Sequence, residues 1–363
     1  MHTRLFRFSL LVIVAASTSC LAFGQESAHF ADSLLNFIMQ NKARSSVYLR
    51  KNDTTIAKLN DDKIMPLAST VKMVIAVEFA KQAGNKIINK DGYISIRELE
   101  KYYLQNTDGQ AHPSWLRYER TAGHIKNDSV KMIDIAKGMI MFSSNANAEF
   151  LMDTLGFDNI NSNLPLLNIT KHTLIYPLVA SLMMYQNPNG LKESDILEYD
   201  AKLTEQQYAK FAIILHRRLK NNPSYKLKFR PQDLTVKMQK AWSDRLPSST
   251  TRDYVNLCAI LNNRKFFDSR SYAIISEVLE TVMQSPANKA IFIHAGMKGG
   301  STMFVLTKAL YATLKNGTRI EMAYFFNDLN SAEVYKLQKW MNEFELNVLT
   351  NDSFRANINF QKD

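Results

Sequence analysis

The chain has 363 residues, enough to bury one large hydrophobic core or two smaller ones. Apolar residues make up 46% and charged residues 22%, the balance of a folded globular protein, which excludes disordered, collagen-like and coiled-coil classes. The formal charge of +11 suits an anionic partner such as cell-wall polymer or a membrane surface, and lysines spread over a solvated surface give the same sum.

At the N-terminus, Arg4 and Arg7 precede an apolar stretch from Phe8 to Ala16, small residues, and then Ala22-Phe23-Gly24-Gln25. This is the order of a secretory signal peptide, residues 1–24. The apolar run is too short to span a bilayer. A secreted, periplasmic protein is expected. Lipid attachment at Cys20, which would anchor the chain to a membrane, is the alternative, although Ser17 stands where that signal normally has an aliphatic residue. Once the leader is cut, Cys258 is the only cysteine, so the mature fold has no internal disulfide. Its apolar setting, Val255 to Leu261, reads as a buried helix.

Phe30, Leu34, Leu35 and Ile38 give residues 28–39 a helical period. Strand-like runs follow at 45–49 and 55–59, joined by a turn at Lys51-Asn52-Asp53. From 69 to 285 the pattern is mainly helical; 187–242 is polar and charged and reads as an insertion. Strand character returns at 290–295, 303–314 and 319–326, with Asn316-Gly317 as the last turn. A final amphipathic helix covers 331–344. Strands at both ends of the chain pair most simply in one antiparallel sheet flanked by the terminal helices. The fold class is therefore α+β, with a discontinuous α/β lobe at 25–68 and 286–363, a helical lobe at 69–285, and a site in the cleft between them.

Ser69-Thr70-Val71-Lys72 opens a segment that is apolar all round from Met73 to Val77, as a buried helix is. Three residues apart, Ser69 and Lys72 share a face. A serine hydroxyl needs a base to attack at neutral pH, and a lysine serves when burial lowers its pKa. Alone this pair is a weak signal, because a serine at a helix start is usually a cap. Two further clusters strengthen it. Ser143-Ser144-Asn145 falls between helical patterns at 130–141 and 147–155, and Lys298-Gly299-Gly300-Ser301 ends a strand-like run.

In order and context these clusters resemble the three signature elements of class A β-lactamases and penicillin-binding proteins: Ser-x-x-Lys, Ser-x-Asn and Lys-(Thr or Ser)-Gly. Ser249 to Asp253, leading into a helix, adds to the resemblance, which covers nearly all of the mature chain. It implies that Ser69 is acylated with Lys72 as proton acceptor. Ser143 would pass a proton to the leaving group, assisted by Lys298. Asn145 would hold the substrate amide, the N–H groups of Ser69 and Ser301 would form the oxyanion hole, and Gly299 and Gly300 would let substrate lie along the strand. No cofactor and no metal are implied, and a monomer acting on a β-lactam or peptidoglycan-like small molecule is expected.

The chain departs from the pattern in places. Gly299 replaces the Thr or Ser whose hydroxyl meets a substrate carboxylate; Ser301 and Thr302 are the stand-ins. Tyr176 occupies the place of the glutamate that activates water for deacylation. Glu193 and Glu198 reach the site only if their loop is rearranged. Trp115 and Tyr118 are candidates for an aromatic at the cleft rim, and His294 reads as structural. There is no Gly-x-Ser-x-Gly elbow and no His or Cys cluster for zinc. With no nucleic-acid-binding pattern, that partner class is set aside. Three readings follow: a β-lactam hydrolase; a penicillin-binding, D,D-peptidase or esterase-like enzyme that deacylates slowly; and a degenerate cell-wall-binding module.

Overall fold

A computed structural model describes residues 23–186 and 190–360. Most of the leader, including Cys20, lies outside the described residues. The first helix, α1 (Phe23–Gln40), starts earlier than its apolar period indicates. Strands β1 (Ser45–Lys51) and β2 (Thr54–Leu59) form a hairpin, and its two turn residues, Asn52 and Asp53, have φ of 48° and 68°. Both signs match the twist of the strands they join.

A short strand β3 (Met65–Pro66) leads into α2 (Lys72–Gly84). Strands β4 (Tyr93–Ser95) and β5 (Ser129–Lys131) pair with each other, with α3 (Ile96–Glu100) and α4 (Ala111–Thr121) between them. Then come α5 (Met132–Met141), α6 (Asn145–Leu155) and α7 (Phe157–Leu166). The polar stretch that sequence left unassigned contains α8 (Glu193–Lys202), α9 (Glu205–Asn221) and α10 (Val236–Arg245). Tyr176, Tyr185, Tyr208 and Met238 give it a small core of its own. Strand β6 (Ser248–Ser249) pairs with β3, and α11 (Thr251–Asn263) and α12 (Ser269–Leu279) follow.

The expected strand at 290–295 is corrected. Residues Pro286–Ile291 form α13, and the strand is β7 (Phe292–Ser301). Proline at the first helical turn costs no hydrogen bond and presets φ, so Ser285-Pro286 starts a helix despite the apolar run. The next strand, β8 (Leu306–Leu314), begins later than expected because residues 302–305 are the turn into it. Strand β9 (Arg319–Phe326), α14 (Ser331–Thr350) and α15 (Asp352–Asn357) complete the described chain.

The main sheet has the order β2-β1-β9-β8-β7, antiparallel throughout, so the chain's first and last strands meet at β1–β9. Alternation along β9 separates two cores. Ile320, Met322, Tyr324 and Phe326 face α1 and α14 and pack with Leu34, Ile38 and Leu337. Ala323 and Phe325 face the helical side, with Tyr254, Val255 and α2. Cys258 is buried there on α11, as its apolar setting indicates. Every residue from Met73 to Val77 is 0% exposed, so α2 is the central post of that layer. Strand β7 is an edge of the sheet and faces the start of α2. That gap is the cleft.

Candidate active site

Ser69 lies in a single 3₁₀ turn, Ala68–Val71, directly ahead of α2. Ala68 before it holds φ of 46°, and Ser143 holds φ of 65° at the junction of α5 and α6. Left-handed backbone at a non-glycine residue costs on the order of 1 kcal/mol and persists only where packing enforces it. Here the next residues enforce it: Ser144 caps α6 through Asn147 N–H (3.3 Å), and its hydroxyl also meets His112 Nδ1 at 2.9 Å. Ser144 is therefore a scaffold residue with no exposure to the cleft.

Lys72 is fully buried at the first position of α2. Its Nζ donates to Ser143 O and to Asn145 Oδ1, both at 2.7 Å, with Ser143 Oγ at 3.5 Å. Burial lowers its pKa to about 7, while the carboxylates of Asp108 and Glu149 pull the other way. Lys298 reaches the same group from β7: its Nζ donates to Ser143 Oγ (3.0 Å) and Gly299 O (2.6 Å). Burial and the neighbouring Lys72 and Lys308 hold it well below the usual lysine range. Ser143 is thus bracketed by two lysines. The Ser69 hydroxyl makes no hydrogen bond among the described residues, and it lines a cavity of about 320 Å³ with Ser143, Asn145 and Ser301.

Gly300 has a steric reason. A Cβ there would stand 2.5 Å from both Leu67 O and Ser69 N and 2.8 Å from Thr307 Oγ1. The strand backbone passes directly against the serine turn, and only glycine permits it. At Gly299 a Cβ would meet only ordinary contacts. Of the two hydroxyls considered for the missing one, Thr302 is committed: its Oγ1 accepts from Phe304 N (3.0 Å) and Val305 N (3.1 Å) and pairs with Ser243 Oγ (2.7 Å). Ser301 remains available in the cleft.

Tyr176 is turned away from the cleft. It is buried against Tyr208, and its hydroxyl donates to Arg245 O. Glu193 pairs with Lys237 at 3.4 Å and Glu198 with Lys202 at 2.6 Å, and neither lines the cleft. Trp115 is 0% exposed, so it is no rim aromatic. Tyr118 packs on Phe142 outside the cavity. His294 is buried beside Glu280 at 3.5 Å, a structural position.

Sequence reasoning missed Asp108, Leu178 and Trp242, which all line the cavity. Asp108 belongs to the turn before α4, and its carboxylate accepts from Ala111 N (3.2 Å) and His112 N (3.0 Å). The run Asn106-Thr107-Asp108-Gly109 signals a turn and a cap but not what the turn faces. Glu149 was also unmarked. It is buried on α6, accepts from Val179 N and pairs with His216 Nδ1, both at 2.7 Å. Glu119, His124 and Asp134 bring ligand atoms within 4.8 Å of one another and are the metal-type group among the described residues. They lie outside the cleft and already engage Trp115 Nε1 (2.9 Å) and Lys137 (3.2 Å).

A family model described as the beta-lactamase enzyme family matches residues 29–282, a segment that contains Ser69, Lys72, Ser143 and Asn145. The chain belongs to the beta-lactamase enzyme family. It is accordingly a serine hydrolase of that superfamily, acting on amide bonds. Solved structures agree on the fold. A class A beta-lactamase representative from Bacteroides cellulosilyticus is 13% identical, with TM-score 0.53 over 90% of this chain and 99% of the other. A beta-lactamase from Chitinophaga pinensis is 13% identical, with TM-score 0.54 over 87% and 97%. PBP-A, a mutant in acyl-enzyme complex with penicillin G, is 14% identical, with TM-score 0.51 over 88% and 96%. No curated protein matches the sequence.

Proposed function

We propose that this enzyme is exported, is acylated at Ser69, and hydrolyses β-lactams. The observation that carries this reading is the setting of Lys72, buried with a pKa of about 7 and fixed by Ser143 O and Asn145 Oδ1. A neutral amine has two N–H donors and one lone pair. Those two acceptors take both donors and leave the lone pair for the Ser69 proton. Ser69 Oγ then attacks the lactam carbonyl, and the oxyanion is received by the N–H groups of Ser69 and Ser301. As the C–N bond breaks, Ser143 Oγ gives its proton to the departing nitrogen and is resupplied from the protonated Lys72; Lys298 Nζ, which donates to Ser143 Oγ, holds that hydroxyl in place for the transfer. Substrate lies along the free edge of β7, as an added strand would.

A second reading, a penicillin-binding enzyme that deacylates slowly, draws on Tyr176. With Tyr176 turned inward, Asp108 is the carboxylate among the described cleft-lining residues. Labelling with a fluorescent penicillin separates the two: label that appears on Ser69 and clears within minutes supports hydrolysis, and label that persists supports the second reading. A folded native protein that takes no label, or a Ser69→Ala variant that still does, sinks both. Export is checked by the N-terminal sequence of the mature protein, expected to begin at Gln25.

A further inference from the structure

Away from the cleft, the end of α4 and the start of α5 bring together three side chains that the proposed reaction does not use. The chain reverses at Gly123, with φ of 71°, and His124 N–H donates to Glu119 O at 3.0 Å. That turn returns the His124 ring to the Glu119 carboxylate, where Nδ1 meets Oε2 at 2.7 Å. Strand β5 then leads into α5, whose first turn carries Asp134. One ligand atom from each of Glu119, His124 and Asp134 lies within 4.8 Å of the other two.

Two of these groups are carboxylates with little access to water: Glu119 is 3% exposed and Asp134 is 7% exposed. Burial raises the Glu119 pKa and Asp134 adds to the rise, against the pull of His124 and Trp115. Pairing with His124 accounts for one carboxylate only. Asp134 has Lys137 on Oδ1 at 3.2 Å, and among the described residues its Oδ2 accepts no hydrogen bond. Lys137 is not committed to it, since Glu277 also stands within 3.9 Å of the same ammonium. The other Glu119 oxygen takes the Trp115 indole N–H at 2.9 Å, the kind of outer bond that orients a ligating carboxylate. A small cation would relieve both buried charges at once. Ligand atoms around a tetrahedral zinc ion stand roughly 3.4 Å apart, a contraction that rotation of the exposed His124 ring supplies.

We propose that Glu119, His124 and Asp134 form a structural site for a divalent transition-metal ion of the zinc type, bridging α4 and α5. The imidazole nitrogen selects such an ion over calcium or magnesium, which prefer oxygen ligands throughout. Water completes the shell on the solvent side, where His124 is exposed. Tag-free mature protein, stripped with chelator, is titrated by calorimetry with zinc, calcium and magnesium chloride. One equivalent of zinc should bind, with the other two at least about 100-fold weaker. Cobalt(II) chloride should give a visible absorption band that zinc then removes. His124→Ala, at an exposed position, should weaken zinc at least about 100-fold, beyond the 10–100-fold typical of losing an outer partner. Zinc should also raise the melting midpoint of the native protein and leave that of His124→Ala unchanged. No zinc binding, zinc bound no more tightly than calcium, or equal zinc affinity in native protein and His124→Ala overturns the site. None of these readouts involves Ser69, so the metal site and the acylation reading stand or fall separately.

Discussion

Lys72 concentrates the chemistry of the cleft in one titration. Its native pKa of about 7 lies below the ordinary 10.5 because burial penalises the charged form. The base is therefore lost as pH falls, and the Ser69 acylation rate constant should drop about tenfold per pH unit below 7 and level off above it. Lys72→Met should remove that limb and lower the rate about 100-fold or more. Between pH 7 and 10 the unfolded chain holds a proton that the native site does not, so this group favours the native state increasingly as pH rises. Urea unfolding at pH 7 and 9 should show a smaller gain in stability for Lys72→Met than for the native protein; equal gains would refute this. Gly300 tests geometry instead of charge. A Cβ 2.5 Å from two backbone atoms has nothing flexible to push aside, so Gly300→Ala should cost about 1–3 kcal/mol and displace the Ser69 turn. Stopped-flow labelling should show acylation falling further than the loss of folded protein explains. The residues that meet in the cleft were legible in sequence because the chemistry proposed for them requires particular side chains in a particular order. Asp108 and Trp242 were not legible, since what a turn or an insertion faces is decided by packing.

At the scale of elements, the exchange between α6 and α9 explains how the insertion and the cleft are coupled. Glu149 on α6 is 1% exposed; one oxygen takes Val179 N–H and the other takes His216 from α9. His216 stacks on Tyr102 at 4.6 Å, and the carboxylates of Glu149 and Asp153 raise its pKa against the effect of burial. Removing one partner strands a buried charge, so His216→Ala should destabilise by about 3–5 kcal/mol. Glu149→Gln, which keeps an acceptor for Val179 N–H, should cost less. Denaturant midpoints of the two variants measure this, and the reverse order would refute the pairing. Helix periodicity found α14 and most of α2, where one face or the whole surface is apolar. It did not resolve α8 and α10, where polar side chains dominate and only Ile196, Asp200, Met238 and Ser243 are buried. The misread start of β7 has a similar cause: Ala290 and Ile291 look strand-like alone, and Pro286 had already begun a helix.

Across the whole molecule, the sheet that separates the two cores is built from strands that lie at opposite ends of the chain. β1 comes from the N-terminal segment and β9 from the C-terminal one, and they pair over seven residues from Ser45↔Phe326 to Lys51↔Ile320. Neither half can complete the sheet alone. Ion pairing between Arg44 and Glu333 ties the same ends, though a surface pair adds only about 0.2–1 kcal/mol. The larger share comes from α1 and α14 covering the outer face, where Leu34 is fully buried. Leu34→Ala should cost about 2–5 kcal/mol, the range for emptying a leucine site in a core. Because β9 carries alternate residues into both cores, the loss should be felt in one cooperative transition. Far-UV circular dichroism and tryptophan fluorescence should then give the same lowered midpoint. Leu34 lines neither the cleft nor its walls, so the acylation rate constant per folded molecule should be unchanged at low temperature. Separate transitions for the two probes would mean that the faces of the sheet unfold independently. A fall in the rate constant itself would mean that the outer face helps to position Ser69 through the strands between them.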